Sequence, residues 1–336
     1  MRRLLVTAAL TIGMGTAVSG TTAAAPAEKA TTGGAARIVS VEPINDRQEK
    51  ITVYSAAMDR EIPLQVVLPA DRSKPQPVLY LLNGVGGGED SANWFGQTDI
   101  LDFLKDKNAN VVMPMAGRAS YYTDWQRDDP VLGRNKWSTF LGKELPPLID
   151  AELGTNKRQS IAAISSSSTS VFNLAIEHPG LYKGIAAFSG CVQSSDSVGQ
   201  HFVKITVNDW GGGNVENMWG PLGGPDWVAH DPQVNAEKLR GTDIYVSSGT
   251  GVPAAPNDTD ANPRFRDGRA AMFDQLVVGA PIEVATGVCT DHLAKRLNEL
   301  QIPATVNIRK TGTHSWGYWQ DDFHDAWPLL AKSMGI

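Results

Sequence analysis

The sequence predicts an α/β fold, a doubly wound and mostly parallel sheet with helices on both faces. Three observations carry that expectation. Short, continuous apolar runs recur along the chain, as suits strands buried on both faces. Stretches of helical length separate them, giving strand–helix alternation. With 336 residues, 42% of them apolar and 20% charged, the chain has enough length for a large core without metal or multi-disulfide scaffolding.

Taken in order, residues 1–27 have the features of an export signal. Arg2-Arg3 make a positive start, residues 4–18 are apolar or small, and Ala25-Pro26-Ala27 fits the small-x-small cleavage rule. No later segment is read as crossing a bilayer. Residues 28–45 form a flexible lead-in, rich at first in Ala, Gly and Thr, and residues 46–336 are expected to form one catalytic domain. Within it, residues 51–56 and 62–68 are antiparallel edge strands around a turn at Met58-Asp59-Arg60. Residues 78–82, 111–113, 161–164, 185–188, 244–246 and 305–308 supply the buried strands, with helices at 100–107, 140–152, 168–177 and 290–300. Residues 192–240 are rich in Gly, Asn and Trp and lack periodicity. They are expected to be an insertion over the C-terminal edge of the sheet, where α/β folds bind ligands.

The formal net charge is −6, with no Lys/Arg tract, which argues against nucleic acid as a partner. Export gives the two cysteines meaning, since an even pair in an oxidising compartment reads as a disulfide, here Cys191–Cys289. Two separate buried thiols are the alternative.

The chemistry concentrates in Arg158-Gln-Ser-Ile-Ala-Ala-Ile-Ser165-Ser-Ser-Ser-Thr-Ser-Val-Phe. An apolar strand runs into serines that open a helix, which is the layout of a nucleophile elbow in α/β-hydrolases. A Ser-rich helix cap is the plainer reading. Four consecutive serines leave the nucleophile ambiguous. Ser165 is preferred because it directly follows the strand, so that Ser166 offers the next backbone N–H to an oxyanion. Thr311-Gly-Thr-His314-Ser-Trp316 follows the last strand, where such enzymes carry their general base in the order Ser, acid, His. Glu283 is the favoured acid, with Asp274 and Asp291 as weaker candidates. The loop Asn83-Gly-Val85-Gly86-Gly-Gly lets backbone approach a tetrahedral intermediate closely. Trp94, Trp125, Trp219, Trp227, Trp316 and Trp319 are candidates for a sugar-stacking rim, against ordinary core roles.

Together these residues resemble the secreted mycolyltransferases, the antigen 85-type α/β-hydrolases of mycolic-acid-bearing bacteria. The likeness spans most of residues 51–320. It runs through Met58-Asp-Arg-Glu-Ile, Tyr80-Leu-Leu-Asn-Gly, Val112-Met-Pro, Ser120-Tyr-Tyr-Thr-Asp124-Trp125, Lys136-Trp-Ser-Thr-Phe-Leu and Glu144-Leu-Pro. It continues through the serine elbow with His178-Pro, Met218-Trp-Gly-Pro, and Gly312-Thr-His314-Ser-Trp316-Gly-Tyr-Trp319. The resemblance implies an α/β-hydrolase fold, a triad of Ser165, Glu283 and His314, and oxyanion donors at the amides of Val85 and Ser166. It places Asn83, Gly86, Trp94, Asp124, Trp125 and Trp316 at the substrate. The family's elbow glycine is Ala163 here, and its sugar-binding Asp-Gly-x-Arg reads Asn83-Gly-Val-Gly86. The glycine-rich loop and the two-cysteine pattern look like the corynebacterial-type branch.

The implied reaction moves a mycolyl group from trehalose monomycolate to a sugar hydroxyl, on a second trehalose ester or on cell-wall arabinogalactan, through an acyl-enzyme. No metal or organic cofactor is expected. The protein is expected in the secreted or cell-envelope fraction, peripherally associated and monomeric. A secreted serine carboxylesterase and a non-catalytic envelope-binding protein on the same fold are the alternatives.

Overall fold

A computed structural model describes residues 34–264 and 269–336. The export signal expected from the sequence and the first part of the lead-in, residues 1–33, lie outside the described residues. The remainder of the lead-in is ordered: Arg37–Asn45 forms β1, paired antiparallel with β2 (Gln48–Ser55). Most of its residues are exposed, Val39 and Ile44 among them, and only Ile38 and Val41 of this strand pack on the core, a pattern sparse enough to look like a loop in sequence.

The other strands fall where the apolar runs lie. They are β3 (Arg60–Val67), β4 (Val78–Leu82), β5 (Asn110–Pro114), β6 (Gln159–Ile164), β7 (Tyr182–Phe188), β8 (Asp243–Ser248) and β9 (Thr305–Ile308). The spatial order is β1-β2-β3-β5-β4-β6-β7-β8-β9. The first four in space pair antiparallel and those from β5 onward pair parallel. Successive side chains enter opposite faces, the period-two rule of a strand. Tyr80, Leu82, Ile161 and Ala163 join one core, while Leu79, Leu81, Ala162 and Ile164 join the other.

Helices cover both faces. The first core takes Leu145 and Ile149 from α1 (Leu145–Leu153), which ends at Gly154 with φ 59°, a left-handed cap that suits glycine. It also takes Val171, Phe172 and Leu174 from α2 (Ser167–Glu177). The second core is closed by the carboxy-terminal helix (Trp316–Met334) through Trp319, Phe323, Trp327 and Leu330. The helix expected at 290–300 starts ten residues earlier, as Ala280–Glu299. Numbering in chain order gives α3 (Ser197–Lys204), α4 (Ala280–Glu299) and α5 (Trp316–Met334).

Residues 192–240 are more regular than their sequence suggests. They hold α3 and further short helices, and Val203, Val207, Met218, Trp219 and Trp227 make a small core with Tyr121 and Trp125. The run Arg269–Glu299 is long and apolar enough to cross a membrane by length and composition, contrary to the sequence reading. Its α4 part nevertheless buries Glu283, Cys289, Leu293 and Leu297.

The strand order turns at β4, whose neighbours β5 and β6 follow it in opposite directions along the sheet. Such a switch point opens a crevice beyond the carboxyl ends of the strands. The glycine-rich loop leaves β4 there, and Ser165 leaves β6.

Candidate active site

Ser165 follows β6 immediately and has φ 55°. A non-glycine residue in the left-handed region is sparsely populated and needs over-determined surroundings. Here its N–H bonds Phe188 O at 2.8 Å and its carbonyl accepts from Ser168 N at 2.9 Å. The turn therefore hangs on β7 behind and on the first turn of α2 ahead. Two of the following serines are occupied: Ser167 Oγ donates to Asn83 O at 2.6 Å, and Ser168 Oγ to Phe188 O at 3.1 Å. The hydroxyl of Ser165 instead meets His314 Nε2 at 2.8 Å, and His314 Nδ1 lies 2.9 Å from Glu283 Oε2.

The carboxylate is fully buried. Burial pushes its pKa up, but the hydrogen bond and charge of His314, the Gly249 N–H and the Ser189 hydroxyl outweigh that and hold it below the ordinary glutamate value. Oε1 accepts from Ser189 Oγ at 2.7 Å, Ser248 Oγ at 3.2 Å, the Gly249 amide and Arg309 Nη2 at 3.3 Å. Gly249 cannot be larger, since a Cβ would stand 2.5 Å from Gly312 O and 3.1 Å from Glu283 Cγ. An ionised carboxylate only accepts, so Nδ1 of His314 carries the proton and Nε2 is free to accept from Ser165. That arrangement can draw the proton from a serine hydroxyl as it attacks a carbonyl.

Ser165 and His314 border an open cavity of about 810 Å³ with Val85, Gly86, Asp90, Arg118, Trp210, Val278, Ile282, Trp316 and Trp319. A narrow recess of about 40 Å³ on the other side shares Ser165 and His314 and includes Ser166 and Phe202. Of the residues expected at the oxyanion and the substrate, Val85, Gly86 and Trp316 line the cavity and Ser166 lines the recess. The remaining substrate-binding assignments do not reach the cavity. Asn83 is 1% exposed, with Oδ1 accepting from Trp94 N at 3.2 Å. Trp94 and Trp125 are fully buried, their indole N–H groups bonded to Leu82 O and Ser120 O. Asp124 accepts from the N–H and hydroxyl of Thr139. Trp219 and Trp227 belong to the small core. Each is a structural residue because its polar atoms are already committed within the fold.

Of the weaker acid candidates, Asp274 lines the cavity while Asp291 pairs with Lys295 at 2.6 Å. The cavity residues that sequence reasoning missed include Asp90, Arg118, Trp210, Val278 and Ile282. Val278 and Ile282 are spaced i, i+4 on a helical run, a signal that was present. Arg118 comes from a turn and Trp210 from the end of the helical segment Ile205–Trp210, neither with such a pattern. Cys191 and Cys289 form a disulfide. It joins the segment after β7, where Ser189 holds Glu283, to the helix that carries Glu283.

A family model described as "Putative esterase" matches residues 55–330. The diacylglycerol acyltransferase/mycolyltransferase Ag85A of Mycobacterium leprae is 29% identical over 343 residues, all of this chain and 94% of that protein. Ag85A of Mycobacterium tuberculosis is 29% identical over 295 residues, covering 85% of this chain and 81% of its own. Among solved structures, Mycobacterium tuberculosis MPT51 is similar with a TM-score of 0.68 at 24% identity, over 83% of this chain and 96% of that one. An S-formylglutathione hydrolase from Agrobacterium tumefaciens is similar with a TM-score of 0.62 at 17% identity, over 89% of this chain and all of that one. The fold is that of the α/β-hydrolases, and the resemblance to antigen 85-type mycolyltransferases extends along most of the chain.

Proposed function

Because the chain belongs to the esterase family, we propose that it is an exported serine acyltransferase that moves a mycolyl group from trehalose monomycolate to a sugar hydroxyl. The observation that carries this reading is the continuous relay Glu283–His314–Ser165, with contacts of 2.9 and 2.8 Å, at a strained strand-to-helix turn. Ser165 Oγ attacks the ester carbonyl while His314 takes its proton, and Glu283 stabilises the imidazolium. The amides of Val85 and Ser166 receive the oxyanion, a role in which each donor is commonly worth about 3 kcal/mol. His314 returns the proton to the departing trehalose, and a sugar hydroxyl then repeats the sequence on the acyl-enzyme. The acceptor is a second trehalose ester or cell-wall arabinan.

The apolar wall of Val278, Ile282 and Trp210 suits an acyl chain, and the polar edge at Asp90 and Arg118 suits sugar hydroxyls. Names of the relatives support mycolyl transfer, and the leader at residues 1–27 supports export to the envelope. The test is intact-mass analysis after exposure to trehalose monomycolate, with product analysis beside it. A covalent acyl adduct and trehalose diester are expected, and both vanish in Ser165→Ala. Free acid as the sole product would make the protein a carboxylesterase. An adduct that persists in Ser165→Ala would assign the nucleophile to another serine.

A further inference from the structure

Glu283 has a neighbour that the acyl-transfer scheme does not use. Arg309 follows β9 directly, and its N–H bonds Ser248 O at 2.9 Å, which extends the β8–β9 pairing by one step. Its side chain is 16% exposed, and the guanidinium lies over the Tyr318 ring at 5.2 Å. Nη2 reaches Glu283 Oε1 at 3.3 Å, and Nη1 is hydrogen-bonded to Asp322 Oδ1. Asp322 is buried on α5, the helix that begins two residues after His314. One planar cation therefore spans the end of β9, the first turn of α4 and the first turns of α5. These are the elements that deliver the carboxylate and the imidazole.

We propose that Arg309 is a positioning residue of the Ser165–His314–Glu283 relay, a strut that fixes Glu283 through Oε1 and is braced in turn by Asp322. The proposal rests on the triad reading above and adds a residue to it. A buried arginine fork holds two acceptors in a fixed plane. Ser189, Ser248 and Gly249 hold the same oxygen with neutral donors only, so Arg309 supplies the cation. The guanidinium is also the cation nearest the carboxylate that orients His314, so replacing it changes both the placement of Glu283 and the field at the imidazole. The titratable groups facing this cluster are His314 from the loop before α5, Asp322 and more distantly Asp321 from α5, Tyr318 with its partner Asp258, and Tyr245 from β8. Burial pushes the Asp322 carboxyl up, with Arg309 opposing it.

The test follows the His314 imidazole by NMR across pH in the full chain, and beside it the rate of phosphonylation by a fluorophosphonate probe. In Arg309→Met the titration midpoint of His314 is expected to move up by about half to one pH unit. Phosphonylation slows about tenfold, and on a short activated ester the loss falls on kcat rather than KM. Arg309→Lys keeps the charge and restores the midpoint, while the rate recovers only in part because the fork is lost. Asp322→Asn leaves the midpoint in place or lowers it. If Arg309→Met does not fold, the double variant Arg309→Met/Asp322→Leu leaves no lone buried charge and still carries an upward shift. A wild-type midpoint and rate in Arg309→Met, or an upward shift in Asp322→Asn equal to that of Arg309→Met, overturns the proposal. A midpoint that shifts as expected in a protein the probe never labels upholds the Arg309 link and sinks the acyl-transfer reading instead.

Discussion

Two walls meet over Ser165, and they are built differently. One is made of strand ends: Ser165 after β6, Ser189 after β7, Ser248 closing β8 with Gly249 after it, and Arg309 after β9. Every polar group there that holds Glu283 is positioned by ladder hydrogen bonds or by a neighbour on the sheet. The other wall is the helical run from Arg269 to Ile282 together with Trp210. It presents Val278 and Ile282 to the cavity, while Phe273 and Val277 stand more than half exposed. The contrast separates two tasks. A relay of proton transfers needs sub-ångström placement, which a sheet edge provides. Accommodation of a long, flexible substrate needs apolar area and tolerates a looser frame.

The rigid wall is where a single atom change has the largest effect. Glu283→Gln keeps the shape but replaces an acceptor with an amide, so His314 loses the tautomer that leaves Nε2 free. The expected loss in acylation rate is about 10³- to 10⁴-fold, read by single-turnover kinetics with an activated ester. The same variant reports on stability. The carboxyl of Glu283 lies below its ordinary value in the fold, so its contribution is present above the unfolded pKa and is lost as pH falls through the folded one. Chemical denaturation at a series of pH values should therefore show a constant gap between wild type and Glu283→Gln near neutrality. The gap closes only on acidification below about pH 4. A gap that widens with falling pH would contradict the assigned direction.

The disulfide ranks next, and it tests whether the two walls are mechanically separate. Cys191 and Cys289 are 98 residues apart in sequence, and closing such a loop stabilises by about 4–5 kcal/mol on the chain-entropy model. Replacing both with alanine is expected to lower unfolding free energy by about that amount, or somewhat less. Because the bridge clasps α4 to the segment that carries Ser189, the activity lost on warming should precede global unfolding. Equal midpoints for inactivation and unfolding would show that the bridge acts on the whole fold and not on the carboxylate.

The same contrast accounts for what could be read from sequence. The buried strands were legible because runs such as Val78–Leu82 are apolar on both faces, and Ser165 because it stands at the junction of such a run with a helix. Glu283 was legible through chain order and resemblance, although the helix that bears it was placed ten residues too late. The lead-in was misread because β1 is an edge strand with few buried side chains. Trp94, Trp125 and Asn83 were misplaced for a different reason. Aromatic and amide side chains serve a sugar or a core equally well, and only the carbonyls that bind them inside the fold decide between the two. Arg309 had no local signature, since its meaning comes from α4 and α5, which lie 26 and 13 residues away in sequence at Glu283 and Asp322.

The looser wall predicts a smaller and more selective effect. Val278 borders the cavity and is half exposed, so a charge there costs little in stability yet spoils an apolar lining. Val278→Asp should raise KM for a long-chain ester by about five- to thirty-fold, the equivalent of about 1–2 kcal/mol of lost apolar contact. On a short activated ester that never reaches the wall, kcat/KM should stay within about twofold of wild type. Loss on both substrates alike would mean that the segment positions His314, which its backbone also touches through Gly279 O and His314 N at 3.3 Å. In that case the two walls would be one device, and the division between a fixed relay and an adaptable lining would fail where Gly279 meets His314.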